Sequence, residues 1–224
     1  MATRVLHVDK DAPDMRSIEE AAQIVRRGGI VAFPTETVYG LACNAARDDA
    51  VKKMYALKER EKGKPFTIHI AAQETITHYA VDINAQARKL MRKYWPGPLT
   101  MVLPLNESYS GDERLALAPS FEKIIESIHS VGFRFPRHAV AQKFIETCNV
   151  PIAAPSANKS GNNSPMCADD VLNDFDGDIE LIIDSGPTEY LVGSTVVKCF
   201  AETVDILRVG AVASDEIKKC VEDT

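Results

Sequence analysis

The residues able to do chemistry in this chain are mostly cations, hydroxyls and amides. In LKEREKGKP (57–65), Lys58, Arg60, Lys62 and Lys64 fall on alternate positions. An extended segment would point them the same way, as a row of donors for a polyphosphate. At a helix end the same run would complement the dipole and face water. In SVGFRFPRH (130–138), Arg134 stands between Phe133 and Phe135 on a strand-like stretch, so its guanidinium leaves on the face opposite both rings. If that face is enclosed, it needs a ligand carboxylate or an internal acid as partner; an exposed edge is the other reading.

Three further stretches add polar groups. VPIAAPSANKSGNNSP (150–165) runs from a buried-strand pattern into Ser156, Asn158, Lys159, Ser160, Gly161, Asn162, Asn163 and Ser164. Such a loop forms either a plain turn or a backbone anion nest, and Ser164 with Pro165 reads as the cap and first residue of a helix. FPTETVYGLA (33–42) places Thr35, Glu36, Thr37 and Tyr39 at a strand tip, as a Thr-rich turn or as polar contacts for a small ligand. Ser194 and Thr195 begin one late strand and Arg208 ends another.

Several chemistries are absent from the sequence. It holds neither G-x-x-x-x-G-K-[ST] nor G-x-G-x-x-G, and no G-x-S-x-G elbow. Histidines 7, 69, 78, 129 and 138 show no metal-ligand spacing, and the five scattered cysteines form no C-x-x-C pair. What is left favours orientation and charge stabilisation over an activated side-chain nucleophile.

Alternating strands and helices must position these groups. SIEEAAQIVRRGG reads as a helix with a Ser17/Glu20 capping box, stopped by Gly28–Gly29, and the continuous apolar run IVAFP as a strand buried on both faces. Asp48 is placed to cap a second helix and Ser120 a later one, SFEKIIESIH. FTIHI, LTMVLP, VGFRF, VPIAA, IELIID, STVVKCF and TVDILRV read as strands, while Pro96-Gly97-Pro98 sets a rigid turn after Trp95. Residues 106–120 read as a surface excursion. The pattern predicts an α/β (α+β) domain, a twisted mixed sheet between helical layers, in a single domain over 1–224 with its core at about 15–212.

Composition fits this. Hydrophobic residues at 45% and charged residues at 26% are ordinary for a globular protein, and no apolar run is long enough for a membrane span. No secretory leader is visible, so a cytoplasmic location is expected. A net charge of −6 argues against a protein devoted to a nucleic-acid backbone.

Taken in order, FPTETVYGLA, KER…KGKPFTIHI, WPGPLT, VGFRFPRH, APSANKSG, GSTVV and ILRVG resemble the YrdC-like threonylcarbamoyl-AMP synthase family, from about residue 20 to 210. The resemblance implies a three-layer fold with a concave central cleft, and a nucleotidyltransferase that makes threonylcarbamoyl-adenylate and pyrophosphate from L-threonine, bicarbonate (or CO2) and ATP. Mg²⁺ would accompany the nucleotide, and a downstream transferase would deliver the group to tRNA. By the same resemblance Thr35, Thr67, Arg134 and Ser194 would hold threonine. Lys58, Arg60, Lys62, Ser130, Ser156, Asn158, Ser164 and Arg208 would hold ATP, with Lys58 and Arg60 carrying catalysis. Glu61 and Val209 stand where the family has proline, and Glu61 puts a negative charge among the phosphate cations. A module binding double-stranded RNA or tRNA on the same scaffold is the alternative, opposed by the acidic balance and the lack of a basic, aromatic-interleaved stripe.

Overall fold

A computed structural model describes residues 2–61, 63–107 and 116–222. Its strands are β1 (Arg4–His7), β2 (Val31–Phe33), β3 (Gly40–Asn44), β4 (Ile68–His69), β5 (Leu99–Pro104), β6 (Ser130–Arg134), β7 (Ile152–Ala153), β8 (Leu181–Asp184), β9 (Thr195–Phe200) and β10 (Thr203–Arg208). Among the described residues they join in one sheet, ordered β1-β8-β2-β3-β7-β4-β6-β5-β9-β10. Parallel pairs (β1–β8, β2–β8, β4–β6, β5–β9) mix with antiparallel ones (β2–β3, β3–β7, β4–β7, β5–β6, β9–β10). The helices are α1 (Met15–Arg26), α2 (Asp48–Leu57), α3 (Ala85–Tyr94), α4 (Pro119–Ser127), α5 (Ala139–Cys148), α6 (Ala168–Phe175) and α7 (Ser214–Glu222). The expected mixed sheet between helical layers is therefore present, and β1 is a strand that the sequence reading did not single out. The excursion expected at 106–120 falls largely outside the described residues.

Two cores sandwich the sheet unevenly. On one face Ile68, Met101, Leu103, Val131, Phe133 and Val197 pack with α2, α3, α4, α6 and α7. On the other, Ile18, Ala21, Ala22 and Val25 of α1 and Val140, Ala141, Phe144 and Cys148 of α5 bury Val31, Phe33, Ala42, Ile152, Leu181 and Ile183. This second core holds no residue of β5, β6 or β9, so their outer faces stay open. Side chains that pair across strands share a face. The register His69–Arg134–Thr100–Val196 therefore lays one row across β4, β6, β5 and β9, and Thr67, Gly132 and Val102 lie two residues along.

Four helix starts differ from expectation. Asp14, not Ser17, caps α1, accepting from the backbone N–H groups of Arg16 (3.2 Å) and Ser17 (3.1 Å). The extended Asp14 lies one residue before the helix, where its carboxylate reaches the second and third amides, while Ser17 donates its own hydroxyl to it. Asp48 is the first helical residue of α2, and its carboxylate accepts from Ser120 N (3.1 Å) at the start of α4. Pro119 takes the first position of α4, which puts Ser120 inside the helix. Helix α6 begins only at Ala168, because Asp170 turns back onto Met166 N (2.8 Å) and Cys167 N (3.3 Å). Ser164 therefore caps nothing, and Pro165 instead accepts from Tyr39 N (2.9 Å), tying the loop to the strand region.

Candidate active site

Over the open half of the sheet lies a cavity of about 350 Å³. His69, Arg134, Thr100, Val196, Thr67 and Val102 form its floor; its walls include Thr35, Thr37, Lys58, Arg60, Ser156, Ser164, Ser194 and Arg208. Nine of the twelve residues proposed from sequence thus meet in one place: Thr35, Lys58, Arg60, Thr67, Arg134, Ser156, Ser164, Ser194 and Arg208. Asn158 stands behind the wall and touches the cavity only through its neighbours. Ser130 begins β6 opposite Pro104, buried and away from the lining. Lys62 lies outside the described residues.

The cations are held by carbonyls. Helix α2 ends at Leu57 and Glu59 takes a left-handed conformation (φ 47°), so the chain turns at 58–59 and Lys58 and Arg60 are not part of an extended row of alternating cations. That turn directs Lys58 and Arg60 to the cavity. Lys64 instead faces solvent, paired with Glu61 (2.7 Å), so the unusual acid is neutralised away from the cavity. Lys58 Nζ donates to Ser156 O (2.8 Å), to Asn158 O and, longer, to Asn158 Oδ1 (3.4 Å), while Ser156 Oγ donates to Asn158 Oδ1 (2.6 Å). Its three protons are all engaged, so a phosphate would have to replace one of these acceptors. Burial, helped by the charge of Arg60, pushes its pKa down to about 8. Arg60 donates to Lys64 O (3.0 Å) and Pro65 O (3.1 Å) and stacks over Phe66 at 5.2 Å. Burial lowers its pKa as well.

Arg134 combines two roles that the sequence posed as alternatives. It is ion-paired with buried Glu36 (2.8 Å) and donates to Gly97 O, yet it lines the cavity. Burial lowers its pKa, against the upward pull of Glu36. Gly97 N donates to Phe135 O (2.8 Å), which holds the Gly97 carbonyl at the guanidinium. A Cβ at Gly97 would stand 2.3 Å from Tyr94 O, so only glycine fits. Thr35 closes its own turn, accepting from Thr37 N (3.1 Å) and Val38 N (3.2 Å) and donating to Val38 O (2.6 Å). Ser194 and Thr100 share a hydrogen bond (2.7 Å), and Arg208 Nη2 donates to Ser194 O (2.9 Å). Lys159, in the middle of the 150–165 loop, points away: its N–H binds Asp174 (2.7 Å) and its ammonium lies 6.0 Å from the Phe175 ring.

The sequence reading missed two residues. Glu36 was noted only as a carboxylate at a strand tip, although it sets Arg134 and accepts from Arg137 N (2.9 Å). His69 was read as plain strand; the alternation of Ile68 and Ile70 inward was the signal that put Thr67 and His69 together on the other face.

Among the described residues, no carboxylate lines the cavity and no group of three His, Cys, Asp or Glu could hold a metal ion. Hydroxyls, guanidiniums and one ammonium around a floor that ends at His69 and Arg134 suit a ligand with several anionic groups. The fold that carries this cavity recurs in known proteins. The family model for Sua5/YciO/YrdC proteins, described as "Telomere recombination", matches residues 23–210. The threonylcarbamoyl-AMP synthase of Pyrococcus abyssi is 43% identical over 204 residues, and that of Bacillus subtilis is 39% identical over 204 residues. Both alignments take in 91% of this chain but only 57% and 56% of those proteins. A crystal structure of P. abyssi Sua5 complexed with L-threonine superposes with a TM-score of 0.87 at 40% identity, covering 98% of this chain and 61% of that one. The chain belongs to the Sua5/YciO/YrdC family.

Proposed function

We propose that the protein is a threonylcarbamoyl-AMP synthase, joining ATP, L-threonine and bicarbonate (or CO2) and releasing pyrophosphate. The observation that carries this reading is the cavity itself: Arg134 and Thr67 on its floor, with Thr35, Ser194, Lys58, Arg60, Ser156, Ser164 and Arg208 on the walls. A zwitterionic amino acid needs a fixed cation for its carboxylate and neutral hydroxyls beside it; a triphosphate needs several cations. The L-threonine complex of the P. abyssi relative supports the choice of amino acid.

In this reading the carbamate oxygen of N-carboxylated threonine attacks the α-phosphorus, and the bond to pyrophosphate breaks. Lys58 and Arg60 offset the charge that builds on the phosphates, each contributing on the order of 2–4 kcal/mol by analogy with oxyanion donors. Magnesium belongs to the nucleotide here, since the lining offers it no carboxylate, and no step is assigned to it. Ser130 and Asn158, which stand off the lining, would act on ATP indirectly, and Lys62 is kept as an ATP contact on the family resemblance alone. The product passes to a transferase acting on tRNA, in the cytoplasm. Purified protein given ATP, bicarbonate and each of a panel of amino acids should release pyrophosphate with threonine well above the others. Release that does not depend on threonine would overturn the reading.

A further inference from the structure

We propose that His69 is the proton acceptor for the amino group of the bound amino acid. This deepens the carbamoyl-adenylate reading and rests on it. His69 lies beside Arg134 in register on β4 and β6, on the cavity floor, so an amino acid whose carboxylate meets Arg134 brings its amino group within reach of this imidazole. The cavity lining otherwise consists of hydroxyls, cations and apolar groups, with no carboxylate or cysteine. Tyr39 is the other neutral titratable residue there, and its hydroxyl is committed to Gly186 O (2.8 Å) and Asp184 (3.2 Å).

The ring is held for such a task. Its edge packs on Phe33 (5.7 Å between ring centroids, 88° between planes), and Nδ1 is enclosed with no hydrogen-bond partner. Enclosure of Nδ1 leaves Nε2 as the ring nitrogen that can meet a ligand, and with the ring proton on Nδ1 its lone pair is free to accept. The charged group facing it is Arg134 on β6, itself shared with Glu36; β2 and β7 present Phe33 and Ile152. Burial, and then the Arg134 charge, push its pKa down to about 3, against the weaker upward pull of Thr67, so the empty cavity holds a neutral acceptor. A bound carboxylate offsets Arg134 and moves the imidazole upward again, by about 1–3 units for a charge at this range.

Bicarbonate takes one proton from the threonine ammonium and dehydrates, giving amine, CO2 and water. The amine lone pair forms the N–C bond to CO2, and the adduct carries an N–H far more acidic than an ammonium, which a weak base can remove. Nε2 takes that proton, leaving the carbamate that attacks ATP; the imidazolium returns it to solvent after product leaves.

His69→Gln keeps a hydrogen-bond acceptor but takes no proton. Threonine-dependent pyrophosphate release at pH 7 should fall on the order of 100-fold with the KM for threonine within a few-fold. The deficit should shrink as pH rises toward 9, and added imidazole should restore part of the rate. With the unmutated protein active, a rate like its own, or a deficit that neither pH nor imidazole changes, overturns the assignment alone. No threonine-dependent release by the unmutated protein overturns the underlying reading and this assignment with it. If the variant does not fold, ¹⁵N-histidine-labelled unmutated protein decides: L-threonine should shift the ring nitrogens of the imidazole that stays neutral at pH 5, and no shift overturns the proposal.

Discussion

At the level of single residues, the cavity works by satisfying its own cations with carbonyls until a ligand arrives. Lys58 is the clearest case, since Ser156 and Asn158 take its protons while burial holds its pKa near 8. Above pH 8 the empty protein loses that charge, whereas bound phosphates favour the charged form, so ATP must bring a proton with it. The KM for ATP should therefore rise with pH above 8, by up to about tenfold per unit, and that of Lys58→Met should be high already and flat. Steady-state kinetics from pH 7 to 9.5 check this. The residue types were legible in the sequence because cations and hydroxyls in apolar company stand out. The Glu36–Arg134 pair was not, since the two acquire each other only when β6 passes beside the 34–39 turn. Breaking a buried pair leaves a lone charge inside, commonly a loss of about 3–5 kcal/mol, which makes Glu36 as much a part of the site as the arginine it sets.

At the level of elements, periodicity located the helices and strands well, and the errors concern their ends. Ser17, Asp48, Ser120 and Ser164 all have capping chemistry, but the residues that stand at the caps are Asp14, Arg47, Ala118 and Cys167. Several hydroxyls and carboxylates competed within a few residues, and only the three-dimensional path of each entering chain decided among them. Asp14→Ala should lower stability by about 1 kcal/mol, or about 2–4 °C in Tm, in thermal unfolding. Ser17→Ala, which leaves the Asp14 carboxylate on its two backbone amides, should cost well under half of that. The strand alternation has a further consequence: a one-residue slip of β4 would exchange His69 and Thr67 for Ile68, so its register is part of the chemistry.

At the level of the whole molecule, the cavity exists because α1 and α5 cover only part of one sheet face, leaving β4, β6, β5 and β9 to form a concave floor. That floor is local and enclosed, while the protein as a whole is acidic, with a net charge of −6. A nucleic acid gains most from a broad basic surface and is driven by counterion release. In a gel-shift titration at about 150 mM salt, tRNA should accordingly show only micromolar or weaker retention. Tight, salt-sensitive retention would instead favour the RNA-binding alternative.

The sequence by itself determined the alternation of strands and helices, the ionic character of the site and nearly all of its members. These follow from local periodicity and from residue types that cannot be buried without a partner. Only the tertiary structure decided that Arg134 has an internal acid beside it, that Lys58 braces the 156–158 loop, that Lys159 turns away, and that Glu61 is answered by Lys64. It also decided that His69 joins Arg134 on one floor. Each of these depends on which face of a strand meets which neighbour across the sheet, and strand order is set by packing between segments far apart in the chain.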